Sequence, residues 1–355
     1  MNWLESYSSA ASVTDKFRDR ENHLLLLANG LIGEAGSVLS EMKKMSREKE
    51  AYPGYRHRLN EEIGDFLWYY VRLVAVTHPA LLHDLVGISQ KTTAPSGTQS
   101  TLALGASVGR VLELLQHGIS DEIDPALKTI WANLSQLSAD MSVNLEEAAR
   151  GNLAKIQSRW PVQKIFHDLF DAGFIPEEQI PRNLTLEFVE RKRGTRIEVV
   201  LRYGSVSIGD RLTDNIADPD GYRYHDIFHI AYAVFLGWSP VIRSLLRCKR
   251  KSDPAIDENQ DGARAVIIEE AVAAIVFSRA KKMQFFEGAQ SVDYDLLKSV
   301  GEFVQGYEVE RVPLWQWETA ILEGFRVFRL LRSAPGGKVT WELLEHKLKW
   351  EKLKG

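Results

Sequence analysis

Apolar residues at helical spacing dominate the first half of the chain. Leu59, Ile63, Leu67, Tyr70 and Val74 recur every three or four positions and mark the stripe of a helix over about 56–77. Further helices are expected at about 12–28, ending in HLLLLANG, and at about 30–46. AYPGY at 51–55 carries Pro53 and Gly54 and reads as a turn. KTTAPSGTQS at 91–100 reads as a polar linker loop, followed by helices near 101–117 and 123–141. Asn144 with Glu147 three residues later reads as a capping box opening the last helix of this set. Trp160-Pro161 then breaks the pattern, and a domain boundary is placed there.

The second half changes period. LTLEFVERKRGTRIEVVLRYGSVSIG at 184–209 alternates apolar and polar residues, with KRGT as a hairpin turn, so two or three antiparallel strands are expected. Helices return at about 224–237, 239–250, 262–282, 292–306 and 314–332. WELLEHKLKWEKLKG at the end reads as a short amphipathic helix with an exposed basic end. The expected architecture is mainly α. An all-α domain over 1–160 precedes an α+β domain over 161–355, mostly helical with a small antiparallel sheet.

Composition adds limits. The chain has 355 residues, 45% hydrophobic and 26% charged, enough for about two domains with ordinary cores. A net charge of -4 offers no global basic field, which argues against a nucleic-acid partner. Cys248 is alone, so an intrachain disulfide framework is excluded and a reducing compartment is suited. The N-terminus has no basic start followed by an apolar core, and no run approaches about 18 uncharged apolar residues. A cytoplasmic protein without a membrane partner is the expectation.

Two helical segments carry acids where a core helix should be apolar. Glu62 and Asp65 lie three apart on one side of the helix over about 56–77, amid Phe66, Trp68 and Tyr69. A buried, unpaired carboxylate costs several kcal/mol, on the order of one ion's effective desolvation. The helix over about 30–46 brings more acid, Glu34 and Glu41, while Lys43 and Lys44 gather at its end, where they suit the helix dipole. A divalent ion such as Mg²⁺ would relieve acids facing acids. The plainer reading is a solvated acidic face, with Arg56, Arg58 and Arg72 as available partners. The aromatic excess of Phe66, Trp68 and Tyr69 suggests a helical partner surface, offered to a second chain.

LANGLIGEAGSVLSEMKK, LNEEIGDFLWYYVRL and NLAKIQSRW, in that order, resemble the MazG family of nucleoside triphosphate pyrophosphohydrolases over roughly residues 20–160. The resemblance implies an all-α fold that forms dimers or tetramers. It also implies Mg²⁺, or Mn²⁺ in its place, and hydrolysis of a nucleoside triphosphate to the monophosphate and pyrophosphate. On this resemblance Glu34, Glu62 and Asp65 match the metal ligands, and Asn152, Lys155 and Arg159 the residues near the phosphates. Lys44 is a further candidate phosphate ligand. Ser37 stands where the family's first acidic pair has its second glutamate, which puts the number of metals in question. Glu41, about 10 Å further along the helix axis than Glu34, and Glu61 are candidates for the catalytic base. Gly33 and Gly36 would let helices approach closely around the ligand, or simply pack. A nucleotide-binding regulator with a degenerate site is the alternative.

The second half holds its own candidates. DNIADPDGYRYHDIFH at 214–229 sets His225 and His229 four apart, with Asp226 beside them, and VIIEEAVAAIVF places Glu269 and Glu270 inside an apolar helix. Such residues on neighbouring helices can ligate a transition metal and support a second metal-dependent activity. Histidines hydrogen-bonded to carboxylates in a core would show the same pattern. DGYRYHDIFHIAYAVFLGWSP resembles the C-terminal region attached to some MazG-like proteins, which brings no defined activity with it. IRSLLRCKRKSDP at 242–254 concentrates Arg243, Arg247, Lys249, Arg250 and Lys251, either for a phosphate or as a solvated helix end paired with the acids that follow. Cations beside Cys248 would lower its pKa.

Overall fold

The helical stripes collapse on one another, and the alternating segments pair into a sheet. A computed structural model describes residues 2–88, 98–118 and 121–353. Its contacts divide the chain into two units, Met1–Val162 and Gln163–Gly355. The structure of the chain is mainly helical, with one small antiparallel sheet in the C-terminal part.

The N-terminal unit contains α1 (Trp3–Val13), α2 (His23–Glu48), α3 (Tyr55–Thr77), α4 (Leu81–Leu85), α5 (Thr98–Gln116), α6 (Ile123–Asp140) and α7 (Leu145–Arg159). Asn2 and Glu5 close a capping box on α1. Asn144 caps α7 on one side, accepting the N–H groups of Glu146 and Glu147. Leu27, Leu31 and Val38 of α2 and Ile63, Phe66, Leu67 and Tyr70 of α3 are buried in one core. The two helices expected over 12–28 and 30–46 are instead α1 and a single long α2. The turn between them is held by Asp15, whose carboxylate accepts the Phe17 N–H at 2.9 Å and contacts His23 at 2.8 Å and Arg72 at 3.1 Å. No break falls at Asn29-Gly30, because Gly30 lies under a ring of α3. A Cβ there would sit 2.0 Å from the Tyr69 ring.

Phe66 and Trp68 are buried among the chain's own helices, so they do not form the partner surface expected of them. By length and composition alone, α2 with the turn after it is apolar enough to cross a bilayer, contrary to the sequence expectation. Its Leu27, Leu31, Ala35 and Val38 are instead buried within the unit. The loop expected at 91–100 lies outside the described residues over 91–97, and Thr98–Ser100 already belong to α5.

The C-terminal unit is built on β1 (Asn183–Arg193), β2 (Arg196–Tyr203), β3 (Val206–Leu212), β4 (Gly336–Glu342) and β5 (Lys347–Glu351). Their order is β3-β2-β1-β4-β5, antiparallel throughout. Two two-residue turns join the first three strands. Gly194 (φ +61°) and Gly204 (φ +59°) take the first central position of each, where only glycine accepts positive φ without strain. The helices are α8 (Asp226–Leu236), α9 (Pro240–Leu246), α10 (Pro254–Asn259), α11 (Ala263–Lys281), α12 (Tyr294–Phe303) and α13 (Leu314–Ser333). Every residue of α8 is buried, and α13 packs closely on it: a Cβ on Gly324 would lie 3.1 Å from Ala231 Cβ.

The C-terminal amphipathic helix expected over 341–355 is not formed; residues 336–351 make the β4–β5 hairpin. Trp341, Leu344 and Leu348 do fall at helical spacing, but Leu344 is 65% exposed. The buried positions Val339 and Trp341 alternate, pair with β1, and put the Trp341 indole N–H on the Pro181 carbonyl at 2.7 Å. The basic run at 242–254 divides: Arg247 and Lys251 are exposed, as in a solvated helix end, and Arg250 pairs with Asp261, one of the acids that follow. Arg243 and Arg250 are buried and paired with Asp171, Asp261 and Glu308. Burial pushes the Cys248 thiol up despite Arg243, so the activation considered for it is not found.

Candidate functional site

Two helices of the N-terminal unit bring acids together. Glu34 comes from α2, and Glu62 and Asp65 from one face of α3. One carboxylate oxygen of each lies within 4.8 Å of the others. Two close approaches set this geometry. Gly30 lets α3 lean on α2 through Tyr69, and Gly64, next to Asp65, faces α7, where a Cβ would meet the Ala148 carbonyl at 2.7 Å. Gly33 and Gly36, expected to make such approaches, have nothing within 4 Å of an added Cβ.

The third helix, α7, supplies polar partners. Asn152 donates from Nδ2 to Asp65 Oδ1 at 2.7 Å. The Lys155 ammonium pairs with the Asp65 carboxylate and lies 3.6 Å from Glu61 Oε1. Tyr7 of α1 donates its hydroxyl to Asn152 Oδ1 at 2.9 Å, which fixes the amide so that its NH₂ faces Asp65. Tyr7 was not foreseen from the sequence; its partner is far along the chain, and only its place on the buried stripe Leu4, Tyr7, Ala11 marked it.

Charge in this cluster is only partly balanced. Burial first, then Asp65 and Glu62, push the Glu34 carboxyl up to about 7, and Lys155 opposes them without cancelling them. Three half-buried carboxylates on rigid helices, one of them holding its proton abnormally, fit a hard divalent cation with oxygen ligands. Glu41 lies outside this cluster. It is buried and hydrogen-bonded to Lys44 and Tyr52. Burial would raise its pKa, but those bonds and the charges of Lys44 and Arg58 outweigh it and hold the carboxyl low. Lys44 is thus given to Glu41. Arg159 stacks on Trp160, its guanidinium carbon 4.6 Å from the ring centroid.

The second acidic group of the sequence also converges. His225, at the start of α8, Asp226 and His229 offer ligand atoms that lie within 4.8 Å of one another. From α11, Glu269 Oε1 meets His229 Nδ1 at 2.9 Å, while Glu270 Oε2 lies 3.4 Å from His229 Nε2 and 3.9 Å from His225 Nε2. Glu269 also accepts the Ser239 hydroxyl at 2.6 Å and the Val241 N–H at 2.8 Å. Burial opposes the charged imidazolium of His229, yet Glu269 and Glu270 push it up to about 10. Burial pushes His225 the other way, below the usual histidine range.

A model of the MazG C-terminal domain matches residues 165–354. The chain belongs to that family, as a MazG-like protein with a C-terminal domain. The match spans the C-terminal unit; Glu34, Glu62 and Asp65 lie before it. No curated protein and no solved structure matches the chain. The relation suggests a nucleotide pyrophosphatase family, and clusters of acidic residues that could hold a metal ion are present among the described residues.

Proposed function

We propose that the N-terminal unit hydrolyses a nucleoside triphosphate to the nucleoside monophosphate and pyrophosphate. The observation that carries this reading is the convergence of Glu34, Glu62 and Asp65, with Lys155 and Asn152 at its edge. Glu34, Glu62 and Asp65 would hold Mg²⁺, with Mn²⁺ as a substitute, and the ion supplies charge neutralisation and orientation of the triphosphate. Lys155 exchanges Asp65 for a phosphate oxygen, contributing a compact positive charge. Asn152, held by Tyr7, donates a neutral hydrogen bond beside it. Water attacks the α-phosphorus, the bond from that phosphorus to the bridging oxygen breaks, and pyrophosphate leaves. Glu61, beside Lys155, is the base that takes the water proton; Glu41 is committed elsewhere.

Turnover in heavy-oxygen water tests the reaction. Label in the nucleoside monophosphate and none in pyrophosphate agrees with attack at the α-phosphorus. Orthophosphate as the first product contradicts the reaction. Ser37, where the resemblance expects a carboxylate, favours one second reading, a regulator that binds nucleotide without turnover. Stoichiometric nucleotide binding with no product would select it.

A further inference from the structure

We infer that the C-terminal unit contains a second, chemically different metal site, for a divalent first-row transition cation such as Zn²⁺. Its ligands are His225 Nε2, His229 Nε2, Asp226 and Glu270, and Glu269 positions His229.

The hydrogen bonds assign both rings. His225 Nδ1 lies 2.9 Å from the Tyr222 carbonyl, which can only accept, so that nitrogen carries the hydrogen. The ring is further fixed by Tyr222, stacked at 4.5 Å between centroids and 5° between planes. His229 Nδ1 faces Glu269, a carboxylate that already accepts a hydroxyl and a backbone N–H, so this nitrogen donates too. Both Nε2 atoms are thereby turned toward the same space. Carboxylate-to-histidine bonds of this kind orient imidazole ligands in metal sites.

His229 Nε2 faces the space between His225, Asp226 and Glu270. The side chain is fully buried, and Nε2 has no hydrogen-bond partner. Its charged neighbour is Glu270, 3.4 Å away, an ion pair when the ring carries both protons, and a cation binding between them takes the place of the Nε2 proton. The spacing suits an ion. Donors about 2.1 Å from a tetrahedral cation stand roughly 3.4 Å from one another. The contacts here are 3.4 Å from His229 to Glu270, 3.9 Å from His225 to Glu270 and 3.9 Å from His225 to Asp226. Two imidazoles with carboxylates favour zinc, cobalt, nickel or iron over magnesium. The Glu270 side chain is 42% exposed, so the ion would be reachable from solvent on that side.

The site stands independently of the N-terminal reading, and the test keeps them apart. The full chain carrying Glu62→Gln and Asp65→Asn is stripped with a chelator and titrated with Co²⁺. One equivalent should bind, with visible ligand-field bands, and Zn²⁺ should displace it. His229→Ala risks the fold, so His225→Ala and Glu270→Gln are added to that background, with circular dichroism to confirm folding. Each should weaken Co²⁺ binding at least tenfold. Absence of stoichiometric binding, or unchanged affinity in either folded variant, would overturn the site.

Discussion

The two acidic clusters use different chemistry to tolerate buried charge. In the N-terminal unit the donors are all oxygens, they are half-buried, and the cation the protein itself provides is Lys155 on a neighbouring helix. In the C-terminal unit two imidazoles join the carboxylates, and one of them is fully sealed and held by Glu269. An all-oxygen cluster beside an ammonium suits a hard ion that arrives with a phosphate substrate. A sealed imidazole with its other nitrogen already bonded suits a resident ion of the transition series. The contrast separates exchange from retention, and it can be broken at either end.

The largest effect is expected from Glu62→Gln, which removes one oxygen ligand on α3. Turnover should fall at least ~100-fold, as expected for loss of several kcal/mol of charge stabilisation, while Co²⁺ binding at the histidine cluster stays unchanged by titration. If both fall together, the two sites are not independent. Next, Glu269→Gln keeps every proposed ligand but weakens the bond to His229 Nδ1. Transition-metal affinity should drop roughly tenfold, within the range for such supporting partners, with nucleotide turnover unaltered.

Packing gives the next test. Gly64→Ala drives a methyl into the Ala148 carbonyl, and should cost about 1–3 kcal/mol of stability in chemical denaturation, because α3 and α7 must separate. A smaller effect is expected from Ser37→Glu. It adds a carboxylate one turn from Glu34 and should tighten Mg²⁺ several-fold in calorimetry, about 1 kcal/mol.

The pH dependence sharpens the same contrast. The folded chain holds the Glu34 proton more tightly than the unfolded chain, with a pKa near 7. Stability from this group is therefore present at low pH and lost as pH rises from the ordinary carboxylate range through about 7. Mg²⁺ should reverse that trend, since it needs the carboxylate, and its affinity should climb with pH until about 7 and then level off. Melting curves with and without Mg²⁺ measure both.

Much of this was legible in the chain itself. Helical spacing carried Glu62 and Asp65 onto one face, and it put His225 and His229 on another. What spacing could not carry was which helices meet. Lys155 reaches Asp65, and Tyr7 orients Asn152, across long stretches of sequence. The fit of Gly30 under Tyr69 and of Gly64 against α7 is likewise a property of helix pairs, which is why the glycines at 33 and 36 drew attention instead. At the C-terminal hairpin Trp341, Leu344 and Leu348 satisfy a helical period, so spacing alone points to a helix there. Pairing with β1 decides otherwise, burying Trp341 and leaving Leu344 in solvent.

The most direct measurement is pyrophosphate release from a panel of nucleoside triphosphates with Mg²⁺, comparing the native chain with Asp65→Asn. The account predicts release from at least one nucleotide by the native chain, with near-complete loss in the variant. Equal rates in the two proteins, or orthophosphate in place of pyrophosphate, would contradict it.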